Sequence, residues 1–426
     1  QPMKRLLICL VALIAVFALV MPASAAEMKV SGIWNAKAWA RDNYNGDDDT
    51  DDSSQYVTQR FRSYWNWIAS ENLKLVYKNE IDMEWGDSAF GAATRNSGGG
   101  AGGDAVNLET KNVYLEFMVP DTPVKATLGL QGITLHKGWF ISDDVAGARF
   151  DMNFDPVSIT AYWTGLNGLE GGDTDASDDQ WSVVASGAYK AENMDARLTF
   201  GYERGVNDGT SADDPESDDL FLVMGEFNMS FDMFSFFVIA GKNFGEHKSD
   251  VNANDYDYKG FMFNAGANFA LDMANFTAEF IYASGDKEGD FEDDFQGFVG
   301  ETYSWAEIIS DGYTYDRNAD LAQIGGDNSP SNMWAIHVGA DVKPTDTTTL
   351  RADIYYVGMV EDRTVGGDDE DTIGTEIDVR LIQKIYDNLS MTVLGAYLIA
   401  DDGYGTVATN SGDDAFQVGM GLDFKF

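Results

Sequence analysis

The sequence predicts an all-β fold: an antiparallel, up-and-down β-barrel that crosses a membrane with about 18 strands, 16 being the alternative. Three observations predict it. Apolar and polar residues alternate with period two along most of the chain, as they do on strands with two unlike faces. The connections alternate between short turns and long acidic loops. After the first 25 residues no stretch approaches 18 consecutive apolar residues, so any lipid-spanning structure has to be a closed barrel.

The N-terminal segment has its own pattern. Gln1 and Pro2 precede Met3, Lys4 and Arg5 form a positive start, and Leu6 to Val20 is continuously apolar. Small residues follow in Met21 to Ala26. This reads as a secretory signal peptide over 1–25, cut after Ala25 or Ala26; the alternative is a buried N-terminal helix. The remaining 26–426 then forms a single barrel domain. Cys9 lies inside the apolar run, so the exported part carries no cysteine and builds no disulfide or cysteine metal site.

Composition narrows the function. The chain has 426 residues, 71 acidic against 28 basic, and a formal net charge of −43. That excess argues against nucleic acid as a partner, since binding it needs a basic face to replace counterions. Aromatic residues at 13% are too many for a disordered acidic chain.

The strands follow in order. Segments start near Met28, Tyr56, Asn72, Val106, Val124, Gly147, Val157, Gln180 and Asn193. Further ones start near Leu220, Met233, Tyr258, Met273, Asn332, Asp346, Thr372, Asn388 and Ala415. Asn72 to Trp85 shows the pattern best. Leu73, Leu75, Tyr77, Ile81, Met83 and Trp85 share one face, and Lys74, Lys78, Glu80, Asp82 and Glu84 share the other. A helix would scatter these charges around its whole circumference. Later segments repeat the alternation, such as Ile373, Thr375, Ile377, Val379 and Leu381 against Gly374, Glu376, Asp378 and Arg380. Most segments are longer than soluble strands and match a tilted strand crossing a bilayer. Connections such as Ser70-Glu71, Asp155-Pro156 and Asp387 are short. Asp42 to Gln55, Gly86 to Ala105 and Gly285 to Ser331 are long and acid-rich. Both ends of the barrel chain fall on the short-turn side. A secreted soluble sandwich or propeller shares the alternation but not the strand length, the alternating loop lengths or aromatics such as Trp65, Trp67, Phe269 and Tyr282 on the apolar face.

The signal segment, the last strand Ala415 to Phe426 and its terminal phenylalanine resemble Gram-negative outer-membrane porins, most closely the trimeric porins of anaerobic, sulfate-reducing-type bacteria. The resemblance implies short periplasmic turns, long extracellular loops and an outer-membrane location. It also implies recognition of Leu422, Phe424 and Phe426 by the barrel-assembly machinery, and a homotrimer in outer-membrane lipid. The implied function is a water-filled channel for passive diffusion of small hydrophilic solutes and ions. A substrate-specific channel is the first alternative and a non-channel barrel, enzyme or surface scaffold, the second.

With the apolar face toward lipid, the parity of each strand places Lys37, Arg60, Arg62, Lys74, Lys78, Arg197, Arg351 and Arg380 on the lumenal face as pore-lining bases. Asp353, Glu376 and Asp378 are inward acids, with Glu80, Asp82 and Glu84. Any one of them serves equally well as a plain wall salt bridge. Porins fold one loop into the lumen, and by that resemblance Gly132 to Gly147 is the constricting loop, with Asp143 and Asp144 its lumenal acids. The segment Gly285 to Ser331, with Ser304 to Ser310, is the rival plug. The acidic loops, Asp47, Asp48, Asp49, Asp51 and Asp52 among them, favour cations at the mouth. They lack the glycine and distal Glu of a calcium loop, and no metal or cofactor is expected. No catalytic site is expected either: His136, His247 and His337 are scattered, and no Gly-x-Ser-x-Gly elbow occurs.

Overall fold

The computed structural model describes residues 27–49, 52–87, 98–103, 106–167, 180–205, 215–249, 255–286, 292–298, 305–309, 331–365, 368–404 and 412–426. The segment 1–25, expected to be a signal peptide, lies outside the described residues.

The strands are β1 (Glu27–Asp42), β2 (Ser54–Ser70), β3 (Leu73–Glu84), β4 (Glu109–Met118), β5 (Val124–Leu135) and β6 (Ile141–Phe154). Then come β7 (Val157–Asn167), β8 (Gln180–Lys190), β9 (Met194–Gly205), β10 (Pro215–Ser230), β11 (Phe234–Ser249) and the two-residue β12 (Tyr256–Asp257). The last are β13 (Phe261–Ala270), β14 (Ala274–Ala283), β15 (Met333–Thr345), β16 (Thr348–Val365), β17 (Asp368–Tyr386), β18 (Leu389–Ala400) and β19 (Ala415–Lys425). Each pairs antiparallel with its chain neighbours, β11 pairs directly with β13, and β19 closes on β1 with Ala36 opposite Leu422. The small β12 only extends one rim of β11, so the wall has 18 strands. Closure removes both sheet edges, the requirement for a sheet in lipid.

The wall is inside out. Leu198 (63% exposed), Phe200, Val379, Val418 and Met420 point away from the axis and are open, while their sequence neighbours Thr199 and Gln417 are buried. The alternation places both kinds of residue, because successive side chains leave a strand on opposite faces. The terminal Phe426 lies on the outer surface. It stacks on Phe61 and Phe424 at 6.1 and 5.9 Å, and its backbone exchanges hydrogen bonds with Gly32 at 2.9 and 3.1 Å.

Three sequence expectations change. First, β17 does not alternate from end to end. Its register slips beside Gly374, where φ is +140°, a conformation that suits glycine. That bulge turns Ile373 inward, where it is buried. Second, the inner face is not polar all round. Leu222, Met224, Ile239, Met262, Ile281, Val357 and Leu398 face inward and are buried, so the lumen holds an apolar core as well as charged rows. Third, Gly132 to Gly147 is no open loop. β5 and β6 pair out to Leu135 opposite Ile141, leaving a tip of only 136–140.

Candidate functional site

The β5–β6 hairpin positions the site. β4 stops pairing with β5 at Val113 opposite Leu130, and β7 first meets β6 at Gly165 opposite Ala146. Residues 131–135 and 141–145 therefore pair only with each other. Freed from both neighbours, the hairpin leaves the wall and its tip crosses to distant strands. Three bulky apolar residues, Trp139, Phe140 and Ile141, give that tip a reason to leave water, and all three are buried.

His136 puts Nε2 2.7 Å from Thr199 Oγ1 on β9, and Nδ1 3.2 Å from Glu226 on β10. Lys137 Nζ sits 2.9 Å from the centre of the Phe237 ring on β11 and within the fields of Glu226 and Glu279. A cation over an aromatic face is attracted by the ring quadrupole. Both residues have positive φ, +52° and +58°, which lets so short a tip turn.

The other side of the hairpin faces the charged strands. Asp144 accepts from Lys111 Nζ at 2.6 Å and from Asn112 Nδ2 at 2.7 Å, and lies within electrostatic range of Lys78. The neighbouring Asp143 accepts the Asp144 backbone N–H at 2.6 Å. On the wall, Arg60 grips Asp82 with Nε and Nη2 at 2.7 and 2.5 Å, and Arg62 pairs with Glu80. Lys74 meets Glu116 at 3.0 Å. Lys125 bridges Glu116 and Asp151, each at 3.6 Å, and Arg149 binds Asp151 at 2.9 Å. These charges make a paired, dipolar track over β2 to β6, in which every basic row has an acid beside it.

Placement of the sequence-derived residues is uneven. Arg62, Lys74, Lys78 and Arg197 face the lumen part-buried, whereas Lys37 and Arg60 are almost wholly buried. Arg351 belongs to another group. It binds Asp353 through Nε at 2.6 Å and Nη2 at 3.1 Å, while His337 Nε2 reaches the same carboxylate at 2.7 Å and Nδ1 lies 3.5 Å from Glu279. Asp353, Glu376 and Asp378 are all buried.

Glu376 and Arg380 hold the rival plug. The Glu376 carboxylate accepts the backbone N–H groups of Glu307, Ile308 and Ile309 at 2.7, 2.7 and 2.8 Å, and Arg380 pairs with Glu307. Tyr355 donates to the Trp305 carbonyl at 2.8 Å. The preceding stretch 292–298 is anchored too. Asn243 and Gln296 exchange hydrogen bonds at 2.8 and 2.9 Å, and the Phe298 N–H donates to the Phe140 carbonyl at 2.7 Å. Hairpin and plug thus meet, with Phe140 and Phe298 rings 4.9 Å apart.

Sequence reasoning missed Lys111, Lys125, Arg149, the His136–Lys137 tip and Glu307. The parity rule was enough to find Lys125 and Arg149. Lys111 escapes it, because the β3–β4 register shifts between Lys78 and Asn79 and puts an extra residue there. At the long-loop rim, one carboxylate of each of Asp47, Asp48 and Asp49 lies within 4.8 Å of the others. Asp48 and Asp49 are exposed and Asp47 is part-buried, with nothing further that marks a ligand.

No family model and no curated protein sequence matches the chain. Solved structures do. OpdK of Pseudomonas aeruginosa, crystallised with vanillate, aligns at TM-score 0.59 and 10% identity over 94% of this chain and 98% of that one. OccK3 (OpdO) of the same organism aligns at TM-score 0.57 and 11% identity, covering 94% and 96%. OccAB4 of Acinetobacter baumannii aligns at TM-score 0.57 and 9% identity, covering 95% and 100%. The fold is that of an outer-membrane β-barrel. At such identities the likeness concerns the fold alone.

Proposed function

We infer that the chain is an outer-membrane channel for small hydrophilic solutes and ions, cation-preferring at its acidic mouth. The inward β5–β6 hairpin carries this reading: it narrows an inside-out barrel and sets Asp144 against Lys111 and Lys78. Facing rows of opposite charge make a transverse field that orders dipolar solutes and disfavours apolar ones. Export through a cleaved 1–25 segment, assembly-machinery recognition of Leu422, Phe424 and Phe426, a homotrimer and kinship with porins of sulfate-reducing-type bacteria belong to the same reading. Liposome swelling with uncharged solutes of graded size tests it. Swelling that falls off with solute size supports a channel; protein-containing vesicles no more permeable than empty ones contradict it.

A second reading, a substrate-specific channel, is favoured by cations stationed over tyrosine faces. Arg149 lies 5.2 Å from the Tyr162 ring centre and Lys78 5.6 Å from that of Tyr64. Such pairs suit a flat ring bearing a carboxylate, the chemistry of the vanillate found with OpdK. Saturable block of ion current by vanillate would favour it over free diffusion.

A further inference from the structure

The sign of the wall charge changes along the barrel axis. Among the described residues, the long-loop rim is acidic. The Asp48 N–H donates to Asp413 at 3.1 Å, and Glu370 lies within the fields of Asp402, Asp368, Asp401 and Asp371.

The short-turn end of the lumen carries a row of lysines instead. Met28 and Val30 face outward, so Lys29 between them faces the lumen. Phe424 and Phe426, stacked together on the outer surface, set Lys425 inward in the same way. Exposed outward neighbours, Leu75, Tyr189 and Val342, do so for Lys74, Lys190 and Lys343. Lys190, Lys343 and Lys425 are exposed and hold no ion pair among the described residues. Arg197 holds none either, because Glu226 opposite it accepts from Asn228 at 2.9 Å and lies 3.2 Å from His136. The inward acids of these rows are fewer. Glu116 and Asp151 hold Lys74, Lys125 and Arg149, Asp341 lies 4.0 Å from Arg351, and Asp195 stands opposite Lys190. Each short turn also carries one exposed acid, from Glu71 to Asp387. These stand on the tips in open water, where 0.1 M salt limits their reach to about 10 Å. The lysines lie further in, on the wall beside the path.

A solute therefore passes from a negative mouth to a positive vestibule. Midway, the hairpin sets Asp144 against Lys78 and Lys111. A net cation is gathered at the mouth and opposed in the vestibule, and a net anion meets the reverse. A solute that carries both charges gains at both ends. Its carboxylate turns toward the lysines and its ammonium toward the acids, so the axial field aligns it.

We propose that the channel favours small zwitterions, solutes with one ammonium and one carboxylate, over uncharged molecules of the same size. The proposal rests on the channel reading and names its solute class. Asp48 and Asp413 set the preference at the outer end, and Lys190, Lys343, Lys425 and Arg197 set it at the inner end.

Alanine and lactamide test it, because they are isomers of one formula and only alanine is a zwitterion. Vesicles containing the protein are placed in isotonic alanine or lactamide, and swelling rates are corrected with empty vesicles. Alanine should enter several-fold faster at low salt, and the ratio should fall toward one as salt is added. In Lys190→Glu/Lys343→Glu, checked for folding by heat-modifiable gel mobility, the low-salt ratio should fall close to one. Equal rates in the wild type overturn the zwitterion preference and leave the channel standing, since lactamide still enters. A ratio unchanged by salt, or unchanged by the lysine reversal, overturns it as well; the salt series decides the matter if the double variant does not fold. Entry of neither solute beyond the empty-vesicle rate overturns the channel reading itself.

Discussion

At the residue scale, the lumen shows how polar groups survive inside a barrel. Asp144 has two nitrogen donors within 2.7 Å, one of them the Lys111 ammonium, so its part-buried oxygens are satisfied by the protein itself. Asp144→Asn would leave Lys111 as excess positive charge on the hairpin side, and the reversal potential in a salt gradient should move toward anions. Lys111→Met should move it the other way. Titration at the mouth adds a pH dependence. Asp413 beside Asp48 is the main cause that raises the Asp48 carboxyl above its ordinary value, with Asp49 and Asp47 adding to it. A carboxyl raised in the folded state is repelled above its pKa and relieved below it, so Asp48 gives up its charge while ordinary carboxylates still hold theirs. At low salt, cation preference should begin to fall at a higher pH in the wild type than in Asp413→Asn. Reversal potentials against pH, each scaled to its alkaline plateau, measure the difference.

At the scale of the element, most of the architecture was legible. Alternation over Asn72 to Trp85 gives β3 its faces, and segments beginning at Val124, Val157, Gln180 and Ala415 begin where strands do. Legibility failed where tertiary contacts override period two. Alternation starts the sixth segment at Gly147, and the porin resemblance puts Asp143 and Asp144 in a loop; they are strand instead, since a hairpin free of the wall still satisfies its own backbone. In β10, Leu220 to Met224 is apolar on both faces, and only the packed core behind it explains why. The site divided in the same way. The pair of Arg62 with Glu80 joins residues that parity puts on one face, while the Glu376 carboxylate accepts from backbone about 70 positions away and leaves no local pattern. Packing between the two inward elements can be tested at Gly201 on β9. A Cβ there would come 2.5 Å from the Phe298 ring and 2.6 Å from that of Phe140. Overpacking of this kind costs about 1–3 kcal/mol. Gly201→Val should displace the aromatic pair while the hydrogen-bonded wall persists, and the single-channel conductance should rise. An unchanged conductance in a folded variant would mean that Phe140 and Phe298 do not narrow the path.

At the scale of the whole molecule, one choice of direction organises everything else. The outer wall is apolar on every side, from Leu198 through Val379 to Met420, and closure of β19 on β1 leaves no edge. The inner face divides into a charged track over β2 to β6 and an apolar core beneath hairpin and plug. A soluble protein of this size would bury its apolar faces together; here a continuous apolar belt is left facing outward, and only acyl chains cover such a surface without loss. Among the described residues, acids of the β1–β2 and β18–β19 connections meet at one rim, where the Asp48 N–H donates to Asp413, and their summed field favours cations there. The most direct measurement compares two adjacent residues on one strand. Spin labels at Arg197→Cys and Leu198→Cys, in protein reconstituted into bilayers, are exposed in turn to oxygen and to a water-soluble nickel chelate. The inside-out barrel predicts that oxygen relaxes the label at 198 and nickel the label at 197. Preference for nickel at 198, or equal responses at both positions, would contradict it.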